Sequence, residues 1–280
     1  MMKNADSYLD ETEIIIHAGG LSERWFPVTQ GKIVKPATDV GKKPRPMIDW
    51  VILPYVLAGK KKFFISLWHK PESVINHLKV IEKNTDIKFE FLLEPSNLRL
   101  GRAGVIKYYM EKGILNETKP KLSINGTDML KLNMKDLIDF HLSGLKNGFF
   151  ATTIGTKTEV SPFSRIITDP QDQSVKFFEA KPLTKLPPGK YAHTGIFLLD
   201  SAVNKLIKEI SQDDFPVDLE KSKILPNLCK MMRIFEIGLS DWIWFKDSQD
   251  YKKFNGVDFE KFYGINSVEK FLGPYSSESL

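Results

Sequence analysis

The apolar positions fall first into short unbroken blocks. Glu13 to Ala18 (EIIIHA) carries three consecutive isoleucines and then breaks into Gly19 and Gly20. Lys62 to Trp68 (KFFISLW), Lys88 to Leu93 (KFEFLL) and Lys121 to Asn125 (KLSIN) have the same form. Short β-branched and aromatic runs that end at turn residues predict buried strands. Between them, Met47 to Ala58, Glu72 to Lys83 and Ala103 to Lys112 place apolar residues at helical spacing, each long enough for a crossover. Such alternation predicts an α/β fold of right-handed βαβ units, with a Rossmann-like, mostly parallel sheet covered by helices.

After about residue 145 the pattern changes. Strands predicted at Phe149 to Thr153, Arg165 to Thr168, Val175 to Glu179 and Ile196 to Leu199 crowd together with few helices between them. That predicts a mixed or antiparallel C-terminal extension of the sheet. Ala202 to Ile210 and Leu219 to Met231 read as helices, and a last helix near Gln249 to Asn255 is capped by Asp247 or Ser248. Pro182, Pro187, Pro188 and Gly189 mark a loop. The expected organisation is one domain over residues 1–272, with halves at 13–145 and 146–256 and a loose tail at 273–280.

Composition narrows the function classes. With 280 residues, 42% of them hydrophobic, the chain can bury a large core. Cys229 is the only cysteine, so no internal disulfide is expected, and it reads as a small buried hydrophobe. The polar, acidic stretch Met1 to Thr12 is unlike a signal peptide, and no apolar run approaches the roughly 20 residues of a membrane helix. A cytoplasmic chain that engages no membrane is expected. The formal charge of +5 comes from lysines spread along the length, densest at Lys60, Lys61 and Lys62. Without aromatics interleaved on one basic surface, nucleic acid is not the expected partner, and anionic small molecules are.

Candidate chemistry starts where the first strand ends. Gly19-Gly20-Leu21-Ser22-Glu23-Arg24, followed by Pro27, is a glycine turn at the carboxyl end of a strand, where open α/β sheets bind ligands. Amides exposed there can point at phosphate oxygens, and Arg24 adds a fork of donors. The spacing fits neither a dinucleotide loop nor a P-loop. An ordinary tight turn with a surface arginine is the competing reading of this loop taken alone. His17, His69, His77, His141 and His193 show no metal-ligand spacing.

With Lys35-Pro36-Ala37 and the run from Gly41 through Pro44 to Trp50, the order of motifs resembles the sugar-1-phosphate nucleotidylyltransferases. The resemblance extends through Glu94-Pro95, Gly101-Arg102-Ala103-Gly104, Asn125-Gly126-Thr127-Asp128, Lys181-Pro182 and Tyr191-Ala192-His193-Thr194-Gly195, over roughly residues 13 to 255. It implies transfer of NMP from an NTP to a sugar 1-phosphate, giving an NDP-sugar and pyrophosphate. The first half would bind nucleotide, through Ala18, Gly19, Gly20, Leu21, Ser22, Glu94 and Gly101. The second would hold sugar phosphate, through Glu179, Lys181, Thr194 and Gly195. Arg24, Lys35 and Asp128 would be catalytic, with Mg²⁺ on Asp128. The attacking phosphate monoester loses its second proton near pKa ~6, so no general base is required. Cancelling charge between two polyanions and aligning them is what the reaction demands. A homo-oligomer is left open.

Several positions depart from that family pattern. Ser22 and Glu23 stand for Gly-Thr, Arg102 for a small residue, Ser164 for a sugar-binding glycine and Ala180 for a glutamate. Counting from Asp250-Tyr251, Trp244 stands for a second metal-binding aspartate and Lys246 for a glycine, leaving Asp241 or Asp247 as stand-ins. These departures support an alternative reading, a catalytically weak or inactive regulatory relative that binds nucleotide or NDP-sugar. A glycosyltransferase ranks last, because Thr127-Asp128-Met129 lacks the usual Asp-x-Asp.

Overall fold

The computed structural model describes residues 4–158, 163–179, 191–221 and 223–275. In chain order its strands are β1 (Glu13–His17), β2 (Asp39–Val40), β3 (Arg45–Pro46), β4 (Lys62–Leu67), β5 (Lys88–Leu93), β6 (Lys121–Asn125), β7 (Asp128–Leu130), β8 (Ala151–Lys157), β9 (Arg165–Thr168), β10 (Val175–Glu179), β11 (Tyr191–Leu199), β12 (Met232–Glu236) and β13 (Trp242–Trp244). Its α-helices are α1 (Ala5–Glu11), α2 (Phe26–Thr29), α3 (Met47–Leu57), α4 (Glu72–Asn84), α5 (Gly101–Glu111), α6 (Met134–Leu145), α7 (Ser201–Lys208), α8 (Leu225–Lys230), α9 (Ser248–Phe254), α10 (Phe259–Tyr263) and α11 (Glu269–Leu272). The chain forms two compact units, the first of residues 1–14, 94–124 and 135–241, the second of 15–93, 125–134 and 242–280.

In the second unit β1, β4 and β5 run parallel, with Ile15 beside Phe64 and Ile65 beside Phe91. Ile15, Ile16, Phe63 and Ile65 are wholly buried, as expected for strands covered on both faces. Two antiparallel pairs complete it, β2 with β3 and β7 with β13. Every residue of α3 from Met47 to Val56 is buried, so the helix is apolar all round rather than striped. Trp50 stacks on Phe259 at 4.9 Å, and the Tyr263 hydroxyl donates to the Trp50 carbonyl at 2.7 Å.

A charged group is sunk into the same core. Asp49 on α3 accepts from Arg45 Nε at 2.7 Å, and its other oxygen meets His77 Nε2 on α4 at 2.5 Å. Arg45 also donates to the Gly273 carbonyl at 3.1 Å and lies over the Tyr275 ring, whose hydroxyl donates to Asp39 at 2.7 Å. Burial alone would raise the Asp49 carboxyl, but His77 and Arg45 outweigh it and hold the group below its usual range.

The first unit is built on β11, a strand buried along its whole length. It pairs antiparallel with β6, β8 and β9; β10 pairs antiparallel with β9, and β12 runs parallel to β8. This is the mixed arrangement that the crowding of strands predicts. The predicted helix at 219–231 is broken into a 3₁₀ turn at Leu219–Lys221 and α8, because Pro226 has no N–H to continue a helix and starts a new one. Helix α6 and the short helices α10 and α11 were not anticipated from the pattern. Glu179 lies on β10. The loop expected around 182–189, Lys181 with it, and the tail beyond Tyr275 lie outside the described residues.

Candidate functional site

The loop after β1 belongs to the second unit, and its conformation is fixed by packing as much as by composition. Ala18 donates its N–H to the Ser66 carbonyl at 2.9 Å. A methyl group on Gly19 would lie 2.6 Å from the Trp68 nitrogen, so only glycine lets the loop pass the end of β4. Gly20 has open space around it. Leu21 is exposed, and Ser22 takes a left-handed conformation with φ of 59°. In that conformation the Ser22 hydroxyl accepts the Lys35 N–H at 2.9 Å, tying the loop to the turn at Lys35–Ala37.

Lys35 is the centre of the charged cluster. Its ammonium donates to the Phe245 carbonyl at 2.6 Å and stands 5.9 Å from the Trp25 ring centroid. Trp25 is itself wedged edge-on against Phe245 and Tyr251. Burial pushes the Lys35 ammonium down to about 8 and Arg24 pushes the same way, while Asp128, Asp250 and Asp247 hold it up. Asp128, at the start of β7, accepts from Trp242 Nε1 at 3.0 Å and from Asn125 Nδ2 at 3.2 Å. Burial raises its carboxyl above the usual range, against the pull of Lys35, Trp242, Asn125 and Lys246. Arg24 and Asp128 thus both act electrostatically on Lys35, whose backbone is tied to the glycine loop through Ser22.

The acids near the end of the chain do other work. Asp247 caps α9 by accepting from the Gln249 and Asp250 amides, and Asp250 accepts from the Lys246 and Asp247 amides. Asp241 lies on a 3₁₀ turn of the first unit. Among the described residues no group of three or more His, Cys, Asp or Glu side chains is arranged to hold a metal ion.

Glu94, Gly101, Thr194 and Gly195 belong to the first unit. One oxygen of Glu94 accepts the Leu100 N–H at 2.7 Å, shaping the loop that leads into α5. Gly101 has φ of +72°, and an added methyl would lie 2.7 Å from the Val217 backbone. The Val217 carbonyl in turn accepts from the Ala103 and Gly104 amides at 2.9 and 3.2 Å. The glycines of this turn therefore admit a segment of the protein's own chain against the start of α5. Gly101→Ala is expected to cost about 2–4 kcal/mol, from left-handed strain plus overlap with backbone. Gly113→Ala, with φ of +70° and nothing nearby, should cost only the strain, about 1–2 kcal/mol. Denaturant midpoints at unchanged m would measure both, and equal losses would refute the steric account.

Two of the departures from the family pattern meet on a residue that the motifs did not single out. Arg102 donates to Glu220 at 2.6 Å and to the Gly195 carbonyl at 2.9 Å, and Ser164 donates to the same carboxylate. His193 Nδ1 stands 3.2 Å from Glu220. Burial alone would raise the Glu220 carboxyl, but Arg102, His193 and Ser164 hold it well below its usual range. The Thr194 hydroxyl donates to the Ile154 carbonyl at 3.0 Å. No local signal marks Glu220, since it sits in a 3₁₀ turn with no recognisable spacing to its partners.

The nucleotidyl transferase family model matches residues 13–246. A mannose-1-phosphate guanyltransferase of Pichia angusta is 29% identical over 216 residues, covering 75% of this chain and 56% of the relative. The chain spans about half the length of the curated relatives it matches. Among solved structures, HddC from Yersinia pseudotuberculosis superposes with a TM-score of 0.68 at 23% identity, covering 90% of this chain and 99% of that one. Its complex with GMP-PN gives 0.66 at the same identity and coverage.

Proposed function

The chain belongs to the nucleotidyl transferase family, and on that premise we propose that it transfers NMP from an NTP to a sugar 1-phosphate, releasing pyrophosphate and an NDP-sugar. The observation that carries this reading is the cluster of Arg24, Lys35 and Asp128 beside a glycine loop with open space at Gly20. Lys35 has donors beyond the one given to Phe245, and a phosphate placed against them meets an ammonium held by two fixed contacts, the Ser22 hydroxyl on its backbone and the Phe245 carbonyl on its tip. Held in that way, the ammonium stabilises charge on the transferring phosphate with little reorganisation. Arg24 offers a planar fork to the outgoing pyrophosphate. The sugar phosphate arrives as a dianion and needs no residue to deprotonate it. Glu94 keeps the proposed base contact, and Glu179, Lys181, Thr194 and Gly195 the proposed sugar-phosphate contacts.

The proposed metal is Mg²⁺. It would be carried on the triphosphate, because Mg²⁺ takes most of its ligands from phosphate and water and both oxygens of Asp128 already accept hydrogen bonds. When bound, such an ion would neutralise phosphate charge. Guanine nucleotide and mannose 1-phosphate are the first substrates to offer, since the curated relatives are named for that pair. The proposed setting is the cytoplasm, where NTP and sugar phosphates are made. The test is pyrophosphate release across a panel of NTPs and sugar 1-phosphates with Mg²⁺. Release with one pairing is expected; silence across the panel from folded protein would overturn the transferase reading and favour the ligand-binding regulatory one.

A further inference from the structure

The register of β7 with β13 puts Trp244 directly opposite Asp128. Side chains at opposed positions of an antiparallel pair leave the ribbon on the same face, with Cβ atoms about 4.5–5.5 Å apart. A carboxylate at position 244 would therefore share a cation with Asp128, and an indole cannot. Nor is the indole loosely placed. It packs on Trp242 at 4.9 Å and Phe254 at 5.6 Å, with the Lys253 ammonium 5.4 Å from its centroid. Both oxygens of Asp128 already accept hydrogen bonds, and the nearby carboxylates of Asp247 and Asp250 accept from backbone amides at the start of α9. The charges that act on Asp128 include two cations, Lys35 and Lys246, the latter in place of the family's glycine.

We propose that this protein meets the charge of its nucleotide with the ammonium groups of Lys35 and Lys246, Asp128 serving as their counter-ion, and that it has no protein-held divalent cation. A cation that takes part comes with the nucleotide. This inference rests on the nucleotide-binding reading of the site.

The test uses the full chain and two measurements besides turnover. Without nucleotide, Mn²⁺ binding is followed by electron paramagnetic resonance. Wild type is expected to stay unsaturated into the millimolar range, and Trp244→Asp, which places two carboxylates in register, to bind at least about tenfold tighter. Nucleotide affinity is then measured by calorimetry with GTP, ATP, UTP, CTP and dTTP, in Mg²⁺ and in EDTA. Wild-type affinity should differ by less than about threefold between the two, and Lys246→Met should weaken it about tenfold in EDTA. Micromolar Mn²⁺ binding by wild type that Asp128→Asn removes would overturn the inference. So would nucleotide binding that collapses in EDTA, or a folded Trp244→Asp protein with no gain in Mn²⁺ affinity. Should Trp244→Asp fail to fold, the wild-type and Lys246→Met measurements decide alone. Nucleotide binding that requires Mg²⁺ defeats this inference only, whereas no binding in either buffer defeats the nucleotide reading beneath it.

Discussion

Asp49→Ala should lower the stability of this protein by about 3–5 kcal/mol, the usual cost of removing one partner of a buried ion pair. Asp49 and Arg45 are almost wholly shielded from solvent. Deleting the carboxylate leaves a buried guanidinium with the Gly273 carbonyl as its remaining acceptor among the described residues, and it takes the partner of His77 as well. For a chain of this length such a loss corresponds to a fall in Tm of roughly 5–9 °C. Replacing the pair together, as Arg45→Met with Asp49→Leu, should recover much of the loss, because a buried ion pair exchanged for apolar side chains is often neutral. Thermal unfolding of the three proteins provides the check. A single variant within about 1 kcal/mol of wild type would show that the pair does not hold the core.

Lys35→Met should leave the fold intact and lower kcat by about 10²–10³, the scale of removing one preorganised donor from a transition state. A partly buried ammonium whose pKa is depressed is no asset to the folded state. Stability and activity are thus expected to separate. The depressed pKa adds a pH signature. Lys35 is charged below about 8 and neutral above it, so phosphate binding that uses the ammonium should be lost as pH rises. Triphosphate affinity near pH 9 is expected to be about tenfold weaker than near pH 7. Arg24, Asp128, Asp247 and Asp250 bear on this titration. In Lys35→Met the fall should vanish. A variant with the wild-type profile would remove Lys35 from the phosphate site.

Much of the architecture could be read along the chain because the governing interactions are short-ranged. Blocks such as EIIIHA and KFFISLW become strands since only a strand buried on both faces hides a short unbroken apolar run. The helices α3, α4 and α5 start within about two residues of their expected places, as helical periodicity and turn residues are local properties. The same holds for the glycine loop, although the demand at Gly19 comes from the close approach of β4 rather than from phosphate. The helix expected over 219–231 failed at Pro226, where a local rule was available and was outweighed by apolar content.

What the chain alone determined was the alternation of strands and helices, the glycine turn at the end of β1 and the order in which Arg24, Lys35 and Asp128 appear. Only the tertiary structure decided what those groups face. Trp242 and Asp128 are 114 residues apart in sequence, yet the register of two three-residue strands sets Trp244, not an acid, beside the carboxylate. Glu220 as the partner of Arg102, Ser164 and His193, and Asp49 as the partner of Arg45 and His77, came the same way. Periodicity reports which face of an element is buried. It carries no record of which distant element covers that face, and charge placement in a low-dielectric interior depends on that pairing.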